Sequence, residues 1–516
     1  MPENAIKKLH ASVEPQWKVC FWAALLVGLA AHLYKITNWL PNWDSLVFRY
    51  DPQNMIAIGR WFLPVVCAFS SFYDLPFLNG LLAIVFHALG AVYICRILEV
   101  RKSVTAALIG GVVVSFPTVT SVMMYNYVAD GYSIAFFLSV LSAWYLTKEK
   151  PRYVLAGVLI ALSAGIYQAY ITVTIMLVLL KLIHRLVFQG ASVGKVLKKT
   201  GGILLAGIMG VALYGVVLKL LLGIFSTELL AYQGIDAAAS FSGIDLPASL
   251  YVIKETFINC FFDFSGGVNV YVLINCFVAV FTFVYYLVHI VKNKVYKNIV
   301  SIIVIVVFGV ALVLGAGVLA FINPMVDYHN LMLMGYCVFY LFFLALYETN
   351  AETDTKQVGA KCWIILLAAV AVIANQVVIA NVSYHKAQLA YEKSYGVLIR
   401  IADRIEQLPE AEDCEKLLVL GALDNSRDYS VNLTPNIVGI TDGYIIRADD
   451  ETVGQSVLCS ALADYCEKKY EFLKGEEKKT LSQKEEVKAM GVWPAKDCIT
   501  VVEDTLIIKL GTEGEY

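Results

Sequence analysis

Between Asn42 and Trp61 the chain gathers two carboxylates, Asp44 and Asp51, and two guanidinium groups, Arg49 and Arg60, directly after a long apolar stretch. A carboxylate beside an arginine suits general-base work on a hydroxyl, with the cation free to grip a phosphate. Ionisable groups beside a bilayer generally do chemistry or bind charged ligands, because an idle charge there is costly. Asp51-Pro52-Gln53-Asn54 also reads as a capping carboxylate followed by proline at the first helical position, so a structural role competes with a catalytic one. Asp44 has the weaker structural alternative, capping a short turn from Ser45. Asp44 is therefore the expected base, with Asp51 the second candidate. The helix opened by Pro52 is expected to reach about Ser70 and to lie on or dip into the interface, with Met55, Ile56, Ile58, Trp61, Phe62 and Leu63 as its apolar side. Arg60 follows Gly59, which permits close approach of a ligand to the backbone. Its ordinary alternative is snorkelling to lipid headgroups.

Three later stretches carry polar and aromatic side chains and are expected as loops: Pro117 to Tyr132, Gly165 to Tyr170, and Asn323 to Asn330. Interfacial tyrosines ordinarily form a belt, so Asp130, Gln168 and His329 carry the stronger signal. Aromatic faces with acid and amide hydrogen bonds are what a sugar ring needs. Trp43, Asn54, Tyr125, Asp130, Gln168 and Tyr170 are the expected sugar or acceptor contacts. Arg60, Arg49 and His329 are the expected phosphate contacts.

These residues must be positioned by a membrane scaffold. Of 516 residues, 59% are hydrophobic and 16% charged, with a mean hydropathy of +0.68. A soluble domain could not hide so much apolar surface. The net charge of −2 gives no sign of a nucleic-acid partner. About eleven segments are long enough to span a bilayer, near residues 17–36, 76–98, 103–119, 131–147, 153–167, 169–187, 201–225, 268–291, 298–321, 330–347 and 362–382. Lys and Arg fall in alternate loops, which puts the N-terminus in the cytoplasm and the first loop outside. The first span reads as a retained anchor.

An odd number of spans sends residues 383–516 to the outer side, as a small α/β domain beyond a membrane domain of residues 1–382. Its expected elements are a helix over Ala387–Leu408, a strand at Leu417–Gly421, a helix over Thr452–Lys468, and a hairpin of Cys498–Val502 with Thr505–Leu510. Cys414, Cys459, Cys466 and Cys498 there could form two disulfides or stay free. No Gly-rich loop joins a strand to a helix as in nucleotide-binding folds.

The strings Asn42-Trp43-Asp44-Ser45-Leu46, Asp51-Pro52-Gln53-Asn54-Met55 and Gly59-Arg60-Trp61 resemble the first-loop pattern of the O-antigen-modifying (Gtr-type) glucosyltransferases. The loop with Tyr125 and Asp130, the Gly165-Ile166-Tyr167-Gln168 stretch and the tail ending in Ile507 to Leu510 are also similar. Where better-known members have paired acids before a downstream Gly-Arg, this chain has Trp43-Asp44, leaving Asp44 as the surviving acid. The resemblance implies an all-α, GT-C-like membrane fold with its catalytic acid in the first outer loop. It implies a polyprenyl-phosphate-sugar donor, glucose as the usual sugar, and a cell-surface glycan acceptor outside a bacterial plasma membrane. No cofactor is called for, and the chemistry does not require a metal. The competing readings are a transporter or flippase of lipid-linked sugars, and a non-catalytic assembly partner.

Overall fold

The computed structural model describes residues 2–4, 13–48, 54–230, 245–264, 270–326, 328–350, 356–423 and 454–511. Helix starts follow local chemistry. Proline opens α1 (Pro15–Thr37), with the short α2 (Trp43–Val47) and α3 (Leu63–Cys67) following, and proline again opens α4 (Pro76–Leu98). A missing N–H costs nothing at a first turn. Then come α5 (Ser103–Ser115), α6 (Pro117–Met124), α7 (Ala129–Thr147), α8 (Tyr153–Ile166), α9 (Ile171–Phe188) and α10 (Val193–Ile224). Ser192 caps α10 by accepting from the Lys195 amide at 3.4 Å, which lengthens this helix beyond the expected start at residue 201. The membrane part ends with α11 (Leu246–Phe261), α12 (Val270–Lys292), α13 (Ile299–Ala316), α14 (Cys337–Asn350) and α15 (Lys356–Glu406).

Eight helices among the described residues are long and apolar enough to cross a membrane. The pair α5 and α6, bent by 41° where Pro117 interrupts the helix, makes a ninth. The shorter apolar helices α8 and α14 stand where the remaining two expected segments lie. The chain is thus an all-α polytopic membrane protein with a small α/β tail. The scaffold is graded: 78% of the apolar window is buried in the spans containing α7 and α9, against 17% in α10. Leu204, Leu205, Ile208 and Val211 of α10 are exposed, as lipid-facing side chains should be. Where α10 meets α8, the backbones touch closely. A Cβ on Gly210 would sit 2.8 Å from the Gly157 carbonyl oxygen, the small-residue contact by which membrane helices associate.

The expected interfacial helix from Pro52 to Ser70 is not one helix. The described part is a 3-10 turn (Ile56–Ile58), a break, α3, and a second 3-10 turn (Ala68–Ser70). Gly59 causes the break, with φ +77°, a left-handed conformation that ends the turn and favours glycine. One side of the segment is buried in the bundle, through Arg60, Leu63, Val66 and Cys67, while Val65 and Phe69 on the other are exposed. Asp51, Arg49, Tyr50, Pro52 and Gln53 lie outside the described residues.

The expected helix at Ala387–Leu408 is the far end of α15, 51 residues long, so the expected boundary near residue 382 falls inside one continuous helix. Beyond it, β1 (Lys416–Leu420), α16 (Gly454–Cys466), β2 (Glu471–Phe472), α17 (Gly475–Ser482), α18 (Glu485–Ala489), β3 (Ile499–Val502) and β4 (Thr505–Lys509) form the tail. Sheet order is β2-β1-β4-β3, with β1 parallel to both neighbours and β3–β4 an antiparallel hairpin. Alternation along β1 serves two cores. Leu417 and Val419 join Leu398, Ile401, Leu458 and Leu462, while Leu418 and Leu420 join Leu481 and Val487. All eleven cysteines are free, and Cys414 and Cys498 are buried in the tail core.

Candidate active site

Asn42 sets the local frame. Its side-chain oxygen accepts from the Ser45 amide at 2.7 Å, capping α2. Asp44 is therefore not the cap. It stands in the first turn, and its own carbonyl accepts from the Phe48 amide at 2.9 Å. Burial pushes the Asp44 carboxyl up from 3.8 to about 6, and the charge of Arg60 opposes that rise. The carboxylate and Arg60 thus act on each other.

Arg60 is 8% exposed and sits in a tyrosine box. Its Nη1 donates to the Tyr132 hydroxyl at 2.8 Å, and its guanidinium lies 4.8 Å from the Tyr167 ring centroid. Those two rings stack on each other, with centroids 4.5 Å apart. The Tyr127 hydroxyl interacts electrostatically with Asp44, Tyr132, Arg60 and Tyr125, joining the acid to the box. Phe48, one residue past α2, stacks on Tyr127 at 5.4 Å.

The loop carrying Arg60 is pinned from several sides. The Tyr214 hydroxyl donates to the Gly59 carbonyl at 3.1 Å. Gln168 donates to the Ile58 carbonyl at 3.3 Å and to the Tyr214 hydroxyl at 3.0 Å. The Phe62 amide donates to the Gly165 carbonyl at 2.7 Å. Trp61 lies flat against Gly165, where a Cβ would come within 2.6 Å of the indole. Gly165→Ala is accordingly expected to shift Trp61 and the loop, costing about 1–3 kcal/mol of stability and lowering turnover roughly tenfold or more. Parallel thermal-unfolding and turnover measurements check this; wild-type values for both would show that Trp61 does not fix the loop.

The remaining expected residues divide. Asp130 is fully buried, but α7 turns it away from Tyr132 and toward Asn79, whose amide donates to it at 3.4 Å. The Gln168 amide is engaged by the loop, and Tyr170 packs edge-on to Tyr167 at 5.9 Å as a supporting ring. Tyr125 is half-buried near Tyr127, and Asn54 is exposed where the described loop resumes. His329 is half-buried and opens a 3-10 turn, Asn330–Met332, that packs on α6. Trp43 begins α2, and its side chain, like Arg49 and Asp51, lies outside the described residues. Among the described residues, no three His, Cys, Asp or Glu side chains cluster as metal ligands would.

Sequence reading passed over a second charged group beneath the loop. Lys35, 1% exposed, donates to the Leu40 carbonyl at 2.5 Å and feels the charge of Asp74. Asp74 accepts from Asn126 at 2.5 Å and from the Trp39 indole at 3.3 Å. A lysine ending an apolar span and a buried acid some forty residues on were the available signal. The two charges attract through space, while the Lys35 ammonium itself is held by the Leu40 carbonyl. Lys35→Met, which takes the donor from the Leu40 carbonyl, is expected to cost about 1–3 kcal/mol, and Lys35→Met/Asp74→Asn to recover the part that comes from the Asp74 charge, read as unfolding midpoints. Equal losses in single and double variants would refute the electrostatic coupling.

The family model described as glucosyl transferase GtrII matches residues 33–346, more than half the chain, from the last turn of α1 into α14, a region that holds Asp44, Arg60 and the tyrosine box. No curated protein and no solved structure matches. The match spans the loop and the helices that clamp it, and the chain belongs to the GtrII glucosyl transferase family.

Proposed function

We propose that this glucosyltransferase moves glucose from a polyprenyl-phosphate donor to a cell-surface glycan, by inversion, on the outer face of a bacterial plasma membrane. The observation that carries the reading is Asp44, a half-buried carboxylate raised to about 6 and facing the charge of a buried arginine. A base titrating there is ionised at neutral pH yet basic enough to take a proton. In the proposed step an acceptor hydroxyl gives its proton to Asp44, and its oxygen bonds to the anomeric carbon. The bond from that carbon to the phosphate oxygen breaks, and polyprenyl phosphate leaves with the electron pair.

Arg60, aided by Arg49 and His329, stabilises the charge gathering on that leaving group. Asp51 is the second acid of the loop and the alternative base. Trp43, Asn54 and Tyr125 border the sugar and acceptor, while Asp130, Gln168 and Tyr170 shape the walls behind them. The N-terminus is cytoplasmic and the tail domain outside, which puts Asp44 on the side where a finished glycan is found. The test is transfer of labelled glucose from polyprenyl-phosphate glucose to envelope glycan by purified protein, wild type against Asp44→Asn. Transfer that survives the substitution unchanged sinks the assignment of Asp44.

A further inference from the structure

The helix that bears the candidate base is gripped on its other side by the tail domain. Leu46 follows Asp44 by two residues, roughly 200° round a helix of 3.6 residues per turn. It is 5% exposed and belongs to the same core as Leu398 and Ile401 of α15 and Leu458 and Leu462 of α16. Val47 and Trp39, flanking it, pack on that core as well. Helix α2 has only five residues and one side-chain cap, too little to hold itself in place. Meanwhile α15 runs unbroken from the membrane into the tail. It is fastened to α1 by the Tyr384 hydroxyl donating to His32 Nδ1 at 2.6 Å, and Tyr391 packs edge-on to Trp39 at 5.8 Å.

We propose that the tail domain is a working part of the active site: through Leu46 it fixes α2, and Leu46 is a positioning residue for Asp44. This rests on the assignment of Asp44 as the base. The contact gives the tail a role in the transfer step itself. A base misplaced by a fraction of an ångström loses rate without losing substrate, because donor binding belongs to other side chains.

The full-length protein in proteoliposomes is assayed with labelled polyprenyl-phosphate glucose and envelope glycan. Leu46→Ala is expected to lower kcat about tenfold with the donor KM changed less than about twofold. Leu46→Met, which refills the volume, restores most of kcat. Lys416→Ala, which breaks the exposed Lys416–Asp504 pair of the tail, leaves activity unchanged. If Leu46→Ala is not recovered from membranes, Leu46→Val carries the test, with a drop in kcat of about threefold expected. Wild-type kcat in Leu46→Ala or Leu46→Val, with Asp44→Asn inactive, overturns the inference and leaves the base in place. Full turnover by Asp44→Asn overturns both.

Discussion

Asp44→Asn is expected to lower turnover by about 10²–10⁴-fold, the usual loss when a positioned base is removed, with donor KM little changed. The companion result is a pH profile. Burial raises the carboxyl to about 6, so in wild type the rate climbs with pH up to about 6 and then levels, because only the ionised form accepts a proton. The same shift carries a stability consequence whose sign is opposite to the usual carboxylate case. A carboxyl raised from 3.8 to about 6 holds its proton more tightly when folded than unfolded. Stability contributed by the neutral form is therefore full below about pH 4 and is lost as pH rises through 6. Above that, ionised Asp44 costs the native state roughly 3 kcal/mol. The asparagine variant, neutral at every pH, is expected to unfold at a higher temperature than wild type at pH 7.5 and at nearly the same temperature at pH 4. An inactive but more stable protein is the signature of an acid kept for chemistry. Loss of activity together with stability at pH 7.5 would instead mark Asp44 as structural.

The sequence carried the scaffold well because apolar runs of this length have one solution in a bilayer, a helix. Even short α8 was legible, since the alternation of charged loops required a crossing between Thr147 and Ala169. The tail strands were legible from β1, where four apolar residues in a row need cover on both faces. The site was legible only in part. Asp44 and Arg60 stood out by type, and the structure adds that the charge of Arg60 acts on Asp44. The shape of the loop did not, because Gly59 can continue a helix or end one, and only tertiary packing decides. The tyrosine box was hidden for another reason. Tyr132, Tyr167 and Tyr214 come from α7, the end of α8 and the middle of α10. No periodicity within one segment reports that they converge on Arg60. Lys35 and Asp74 were visible as charges, but each looked like a loop residue facing water until both proved buried.

Arg60 separates charge from geometry, and two substitutions should split them. Arg60→Gln is expected to lower turnover by about 10²–10³-fold, the scale seen when one preorganised donor to developing charge is lost. It also removes the charge that holds Asp44 down, so the acidic limb of the pH profile should move above 6. Arg60→Lys keeps the charge and should leave that limb near 6. It cannot reproduce the planar fork that donates to Tyr132 at 2.8 Å and lies over Tyr167 at 4.8 Å, so the phosphate of the proposed donor would lose its directed donors. Turnover in Arg60→Lys is therefore expected to fall by about 10-fold or more with the pH limb unmoved. Tyr132→Phe, which deletes one hydrogen bond and leaves the stacked pair, should cost less than either. The informative comparison is between the two arginine variants. If both shift the limb alike, the coupling between Arg60 and Asp44 depends on placement of the cation more than on its presence. If Arg60→Lys retains wild-type turnover, the tyrosine box only stores a charge, and donors elsewhere must meet the leaving phosphate.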